Sequence, residues 1–171
     1  MKPKKPLLLT VLTLVLLALV LIAPGTASAD VAHTSQHHYA ASGMWGVYQV
    51  DFATQTDVGG YLLFTGTEYA NWTGTFRGSS VEPFHGVFLT DGGYRLVVTA
   101  NFKGSVYKEN GKRLGTGKAV IEITGIGNPD GTAGGTWTVV SGSGGLKHLH
   151  GTGAWVGTET GLPYTGEVWL E

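Results

Sequence analysis

From Tyr94 to Val106 the chain alternates with a period of two. Tyr94, Leu96, Val98, Ala100, Phe102 and Val106 fall in one phase, with Gly104 between the last two. Arg95, Thr99, Asn101, Lys103 and Ser105 fall in the other, joined by one apolar residue, Val97. This alternation predicts a strand with one buried and one wet face. Its length of about 43 Å is too great for a flat sandwich strand. Gly104 is the natural place for it to bend or bulge, and a long bent strand suits a barrel wall.

The same pattern recurs along the chain. Met44, Tyr48, Val50 and Phe52 share a phase, as do Tyr61, Leu63, Thr65 and Tyr69. Trp72 and Phe76 are in phase through Gly74, and Phe84 and Phe88 through Gly86. Four more segments follow: Val120 to Thr124, Thr136 to Val140, Thr152 to Val156 and Tyr164 to Leu170. Turn signals separate these runs at Gly59-Gly60, Gly78-Ser79-Ser80, Asp91-Gly92-Gly93, Asn110-Gly111, Asn128 to Gly131 and Gly161-Leu162-Pro163. No helical periodicity follows residue 30. The expected fold is all-β, a single antiparallel up-and-down barrel of about eight to nine strands. Glycine inside a strand costs stability and needs a use. Aromatic residues flanking Gly74 and Gly86 supply one, because large side chains covering a glycine kink help a sheet curve shut.

Composition supports this reading. The chain of 171 residues holds 28 glycines and 13% charged residues, with a formal net charge of −1. Hydrophobic and aromatic residues at 42% and 11% argue against glycine-rich disorder. The charge balance gives no nucleic-acid footprint. With no cysteine, a disulfide framework, a thiolate metal site and a cysteine nucleophile are excluded.

The first residues read as an export signal. Lys2, Lys4 and Lys5 precede an apolar run from Leu7 to Ala23, then Pro24-Gly25 and the small residues Ala27-Ser28-Ala29. Cleavage is expected after Ala29, giving a secreted or extracytoplasmic protein that meets the membrane only during export. The alternative is an uncleaved anchor, but the run is short for a span. The expected organisation is a signal peptide over 1–29, a histidine-containing linker over 30–42 and a β-barrel over 43–171. Without the signal, 8 basic residues face 12 acidic ones, for a charge of −4.

The C-terminal third carries a family resemblance. The run Gly135-Thr136-Trp137-Thr138-Val139-Val140-Ser141-Gly142-Ser143-Gly144-Gly145-Leu146 is followed by Leu149, Gly151 and Gly153, and then by a closing strand led by Tyr164. Over residues 133–171 this resembles a family of small bacterial domains of unknown function with an allene oxide cyclase type of barrel. Upstream the likeness is architectural, through segments such as Gly74 to Gly78. The resemblance implies an antiparallel, mostly eight-stranded barrel with an apolar interior. It does not imply cyclase activity, because matches to the plant cyclase's catalytic motifs are missing. His148 departs from the family's small residue, and His150 falls where the family is variable or basic.

Candidate chemistry is sparse. His148 and His150 would share a face on a strand and could meet one metal ion, with His85 or Glu122 as third ligand. In a tight turn from Gly142 to Gly151 both would face solvent, and no metal or other cofactor is expected. His33, His37 and His38 belong to the expected linker. Asn71-Trp72-Thr73 matches a glycosylation acceptor but falls in or beside a strand. No Gly-x-Ser-x-Gly elbow is present.

Glu122 reads as the one acid well inside a strand core. Pointing inward, it must be paired or protonated; with Ile121 and Ile123 in the core, it faces water. The tryptophans are scattered, as core and barrel-wall residues are. The residues expected to face a ligand in the barrel are Glu122, His85, Tyr94 and Phe102. The expected function is a non-enzymatic module holding a small hydrophobic ligand. The alternatives are a cyclase-like isomerase acting on a lipid-like substrate and a solid-core structural or surface barrel.

Overall fold

Alternating inward apolar and outward polar positions close this sheet on itself. The computed structural model describes residues 37–171, so the expected signal segment and the linker up to residue 36, with His33, lie outside the described residues. Eight strands follow: β1 (Tyr39–Val58), β2 (Tyr61–Gly74), β3 (Phe76–Phe88), β4 (Tyr94–Tyr107), β5 (Arg113–Gly127), β6 (Ala133–Gly144), β7 (Leu149–Val156) and β8 (Leu162–Leu170). They pair antiparallel in chain order, and β8 returns to β1 to close the barrel. The β1–β2, β3–β4, β5–β6 and β7–β8 turns ring one end of the barrel, here called its mouth.

The strand count is eight because Trp72 and Phe76 do not form a strand of their own. Trp72 lies among the last residues of β2, Phe76 opens β3, and the corner falls at Gly74 and Thr75, with Gly74 at φ 92°. Gly78-Ser79-Ser80, expected as a turn, lies inside β3, where Ser80 is buried. The barrel also begins before residue 43. Tyr39 to Ser42 pair with Val168 to Thr165 of β8, which places the end of the expected linker in β1.

The long alternating run forms β4 as expected, with Val98, Ala100, Phe102 and Val106 buried. Its register passes through Gly104 unbroken, and the irregularity sits between Val106 and Tyr107. Two phases differ from expectation. In β2 the inward side holds Phe64, Gly66, Ala70 and Trp72, while Tyr61 and Leu63 are exposed. In β1, Ala41 and Trp45 point inward and Tyr48 outward. A register shift between Val47 and Gln49 then turns Val50 and Phe52, still about half exposed, toward the pocket at the barrel mouth. A bulge of this kind re-aims the side chains that follow it, here up to a second shift between Phe52 and Thr54.

Aromatic rings do cover glycines, but across strands. Phe64 faces Gly86, and Gly66 faces Phe84. A Cβ on either glycine would strike the opposing ring. The two phenyl rings contact each other edge to face at 6.0 Å between centroids. Trp137 lies over Gly153 and Gly166 in the same way, and its indole Nε1 donates to the Thr165 carbonyl at 3.1 Å.

The end opposite the mouth is filled by rings. Phe76 packs on Phe102 at 5.6 Å, on Trp137 at 5.7 Å and on Tyr164 at 5.9 Å. The Tyr164 hydroxyl locks the β2–β3 corner, accepting from the Phe76 N–H at 3.0 Å and donating to the Thr73 carbonyl at 2.9 Å. Burial pushes its pKa up to about 12, so it remains a donor at any ordinary pH. Tyr164→Phe strands the buried Phe76 N–H, with an expected cost of about 2 kcal/mol in urea denaturation. A loss below about 0.5 kcal/mol would remove the tyrosine from this role.

Candidate functional site

The β2–β3 ladder sets two glutamates directly opposite each other, Glu68 and Glu82. Both fall in the inward phase, two residues from the buried pair Ala70 and Ser80 and four from Phe64 and two from Phe84 respectively. Like charges facing each other across a ladder destabilise it. Here the pair is also inside a barrel, and Glu82 is 0% exposed.

The two carboxyls have different surroundings. Glu82 Oε2 accepts from Trp45 Nε1 at 3.0 Å. Glu82 Oε1 accepts from the Ser80 hydroxyl and from Trp72 Nε1 at 3.3 Å, an indole N–H shared with Ser80 Oγ at 2.8 Å. Those donors stabilise an anion at Glu82. Glu68 has no such donors, and its Oε1 is buried without a partner.

Protonation reconciles the pair. Burial raises both pKa values, and a hydrogen bond between the carboxyls together with the Glu82 charge lifts Glu68 to about 8. Glu68 therefore keeps its proton near neutral pH, while the donors from Ser80, Trp45 and Trp72 work against burial at Glu82 and favour its ionised form. No lysine, arginine or histidine contributes to either shift, and the ion pairs among the described residues join His38 to Glu167 and His150 to Glu171.

Glu68 also lines a pocket of about 140 Å³ at the mouth of the barrel. Phe52, Phe64, Phe84, Phe88 and Tyr94 give it an aromatic wall, completed by Val50 and Leu96. Phe52 meets Phe84 at 5.6 Å and Phe64 at 6.0 Å with planes nearly perpendicular, which fixes the ring orientations. Burial, and then the Glu68 charge, raises the Tyr94 pKa.

Of the four residues expected at a ligand site, Tyr94 lines this pocket. Phe102 is interior but belongs to the solid half, packed on Phe76 and Trp72. His85 projects from the outer wall beside Leu63, Val87 and Arg95. Glu122 is exposed on β5 between the buried Ile121 and Ile123. His148 lies in the β6–β7 turn, and His150 on β7 stacks on Trp169, whose other neighbour in the ladder direction is His38. Asn71 and Thr73 are exposed on β2.

Glu68 and Glu82 went unrecognised in the sequence. For Glu82 a signal existed, since Phe84, Gly86 and Phe88 fix the β3 phase and Glu82 shares it. The serines at 79 and 80 hid it by resembling a turn.

The fold is shared with a protein of unknown function from the DUF3224 family of Shewanella oneidensis MR-1. The match to that crystal structure has a TM-score of 0.64 and 23% sequence identity, covering 79% of this chain and 98% of the other. The likeness is one of fold. No protein-family model matches this chain, and no curated protein matches it.

The pair makes stability depend on pH. Between the ordinary glutamate range and about 8, the folded chain holds a proton on Glu68 that the unfolded chain has released. Raising the pH through this window therefore favours unfolding. Urea midpoints are expected to fall from about pH 5 to about pH 9, with the slope largely lost in Glu68→Gln. A wild-type profile that is flat or rising over this window would contradict the shared proton.

Proposed function

We propose that this chain is an exported, non-enzymatic binding module that takes one small apolar ligand into the aromatic pocket at the barrel mouth. The observation that carries the reading is the pocket itself: about 140 Å³, open to solvent, and walled by five aromatic residues with one carboxyl. An apolar cavity of about 150 Å³ is enough to hold a benzene molecule. The matching ligand is a single ring or a short branched chain. Export rests on the basic, apolar and small-residue order of the first 29 residues. The allene oxide cyclase type of barrel, with its apolar lumen, is the fold family we assign on the Trp137-led strand, the Gly142 to Gly145 turn and the Tyr164-led strand.

One observation favours a second reading. A protonated carboxyl with a pKa of about 8 in an apolar pocket is a competent general acid, which suits an isomerase or cyclase. A long lipid chain would have to extend out of the mouth, since the pocket accommodates only a ring-sized part of it. In that case Glu68→Gln would abolish turnover while leaving binding in place.

Toluene is the simplest probe of the leading reading. Titration followed by tryptophan fluorescence and by chemical shifts of Leu96 and Val50 is expected to show saturable one-site binding. Val50→Trp fills the mouth and is expected to weaken it by about tenfold or more. Shifts that never saturate, or saturation unchanged in Val50→Trp, would place the ligand elsewhere and remove this function.

A further inference from the structure

The pocket's chemistry narrows the ligand further, on the reading that the mouth is a binding site. Four phenylalanines and a tyrosine present ring faces and edges, and the remaining polar group is a carboxyl. No lining residue is basic. A buried anion ordinarily has a cationic partner or a full set of donors. Glu82 has donors, from Trp45, Trp72 and Ser80. The pair as a whole has no cationic partner, because the ion pairs among the described residues lie elsewhere.

The arrangement also costs the fold something. Two acids in register on neighbouring strands repel when ionised, and apolar residues of similar volume at buried charged sites are often as stable or more so. Such a conflict between local chemistry and fold marks a site kept for function. Aromatic faces attract cations through the ring quadrupole. A carboxyl at the inner end of an aromatic pocket gives an ammonium a hydrogen-bond acceptor as well, and a bound cation favours the ionised form of that carboxyl.

We infer that the pocket selects a small organic ammonium, an apolar body of about one ring bearing a single protonated amine, with the amine directed at Glu68 and the apolar body against Phe52, Phe84 and Phe88. The amine supplies N–H donors to the Glu68 carboxyl, which lines the pocket and whose Oε1 has no partner of its own. The charge of the pair is then offset from the pocket side. Because no bond is made or broken, the ligand is held rather than transformed.

Three near-isosteric probes separate this inference from the reading beneath it: benzylamine, benzyl alcohol and toluene, titrated at neutral pH into the full-length protein and followed by calorimetry. Benzylammonium is expected to bind about tenfold more tightly than benzyl alcohol, the range a desolvated cation–π and carboxylate contact supports. In Glu68→Gln the preference for benzylammonium over benzyl alcohol is expected to shrink to about threefold or less. Toluene binding with no preference for the amine would overturn the ammonium inference and leave the apolar-ligand reading intact. Binding of none of the three would overturn both. An amine preference that persists undiminished in a folded Glu68→Gln would assign the cation to another group and overturn the role of Glu68. Comparison of the three probes in the wild-type protein stands whether or not the variant folds.

Discussion

A closed eight-stranded barrel has an interior wide enough for side chains and little else. Every inward group must therefore be packed, or hydrogen-bonded by another inward group. Trp137 and Trp155 meet this constraint by donating their indole N–H groups to the backbone carbonyls of Thr165 and Thr124. Tyr164 meets it by taking both a donor and an acceptor from the β2–β3 corner. Trp45 and Trp72 instead turn their N–H groups toward Glu82. The acid is thus part of the barrel's hydrogen bonding, and it faces Glu68 across the ladder, which burial and the Glu82 carboxyl hold in its protonated form near neutral pH.

Most of the fold was legible because barrel physics writes itself into local sequence. The alternation of β4 and the Asp91-Gly92 and Asn110-Gly111 turns require no tertiary information. At both turns the glycine takes positive φ, 89° at Gly92 and 77° at Gly111. The β1 phase was less accessible. It depends on a register shift after Val47, and a bulge leaves no fixed signature in composition. In β2 the misleading residue was Glu68 itself. The side with Tyr61, Leu63 and Tyr69 looks the more apolar, whereas the inward side contains Gly66, Ala70 and an acid. Gly66 is inward because Phe84 from β3 occupies its side-chain space, a compensation visible only once the strands are paired.

The site followed the same division. Tyr94 could be placed because its strand's phase was clear, and it lines the pocket. Glu122 and His85 attracted attention as chemistry-bearing residues in strands, yet their apolar neighbours decide the matter: Ile121, Ile123 and Phe84 fill the core and turn them outward. The acids that are inside sit where the hydrophobic pattern weakens. A functional group in a core erodes the periodicity that would reveal it, so an interruption in one strand's apolar phase, opposite a similar interruption in its neighbour, is the pattern to look for. Aromatic rings then serve two ends here, curving the wall over glycine on β2 and β3 and forming the apolar surround that keeps the carboxyl neutral.

The ionisation of that pair can be observed directly. A carbon-detected NMR titration that follows the side-chain carboxyl of Glu68 is expected to show a midpoint near about 8, with the Glu82 carboxyl responding in the same transition. A Glu68 midpoint in the ordinary range of about 4, with Glu82 titrating independently, would contradict a proton shared inside the barrel.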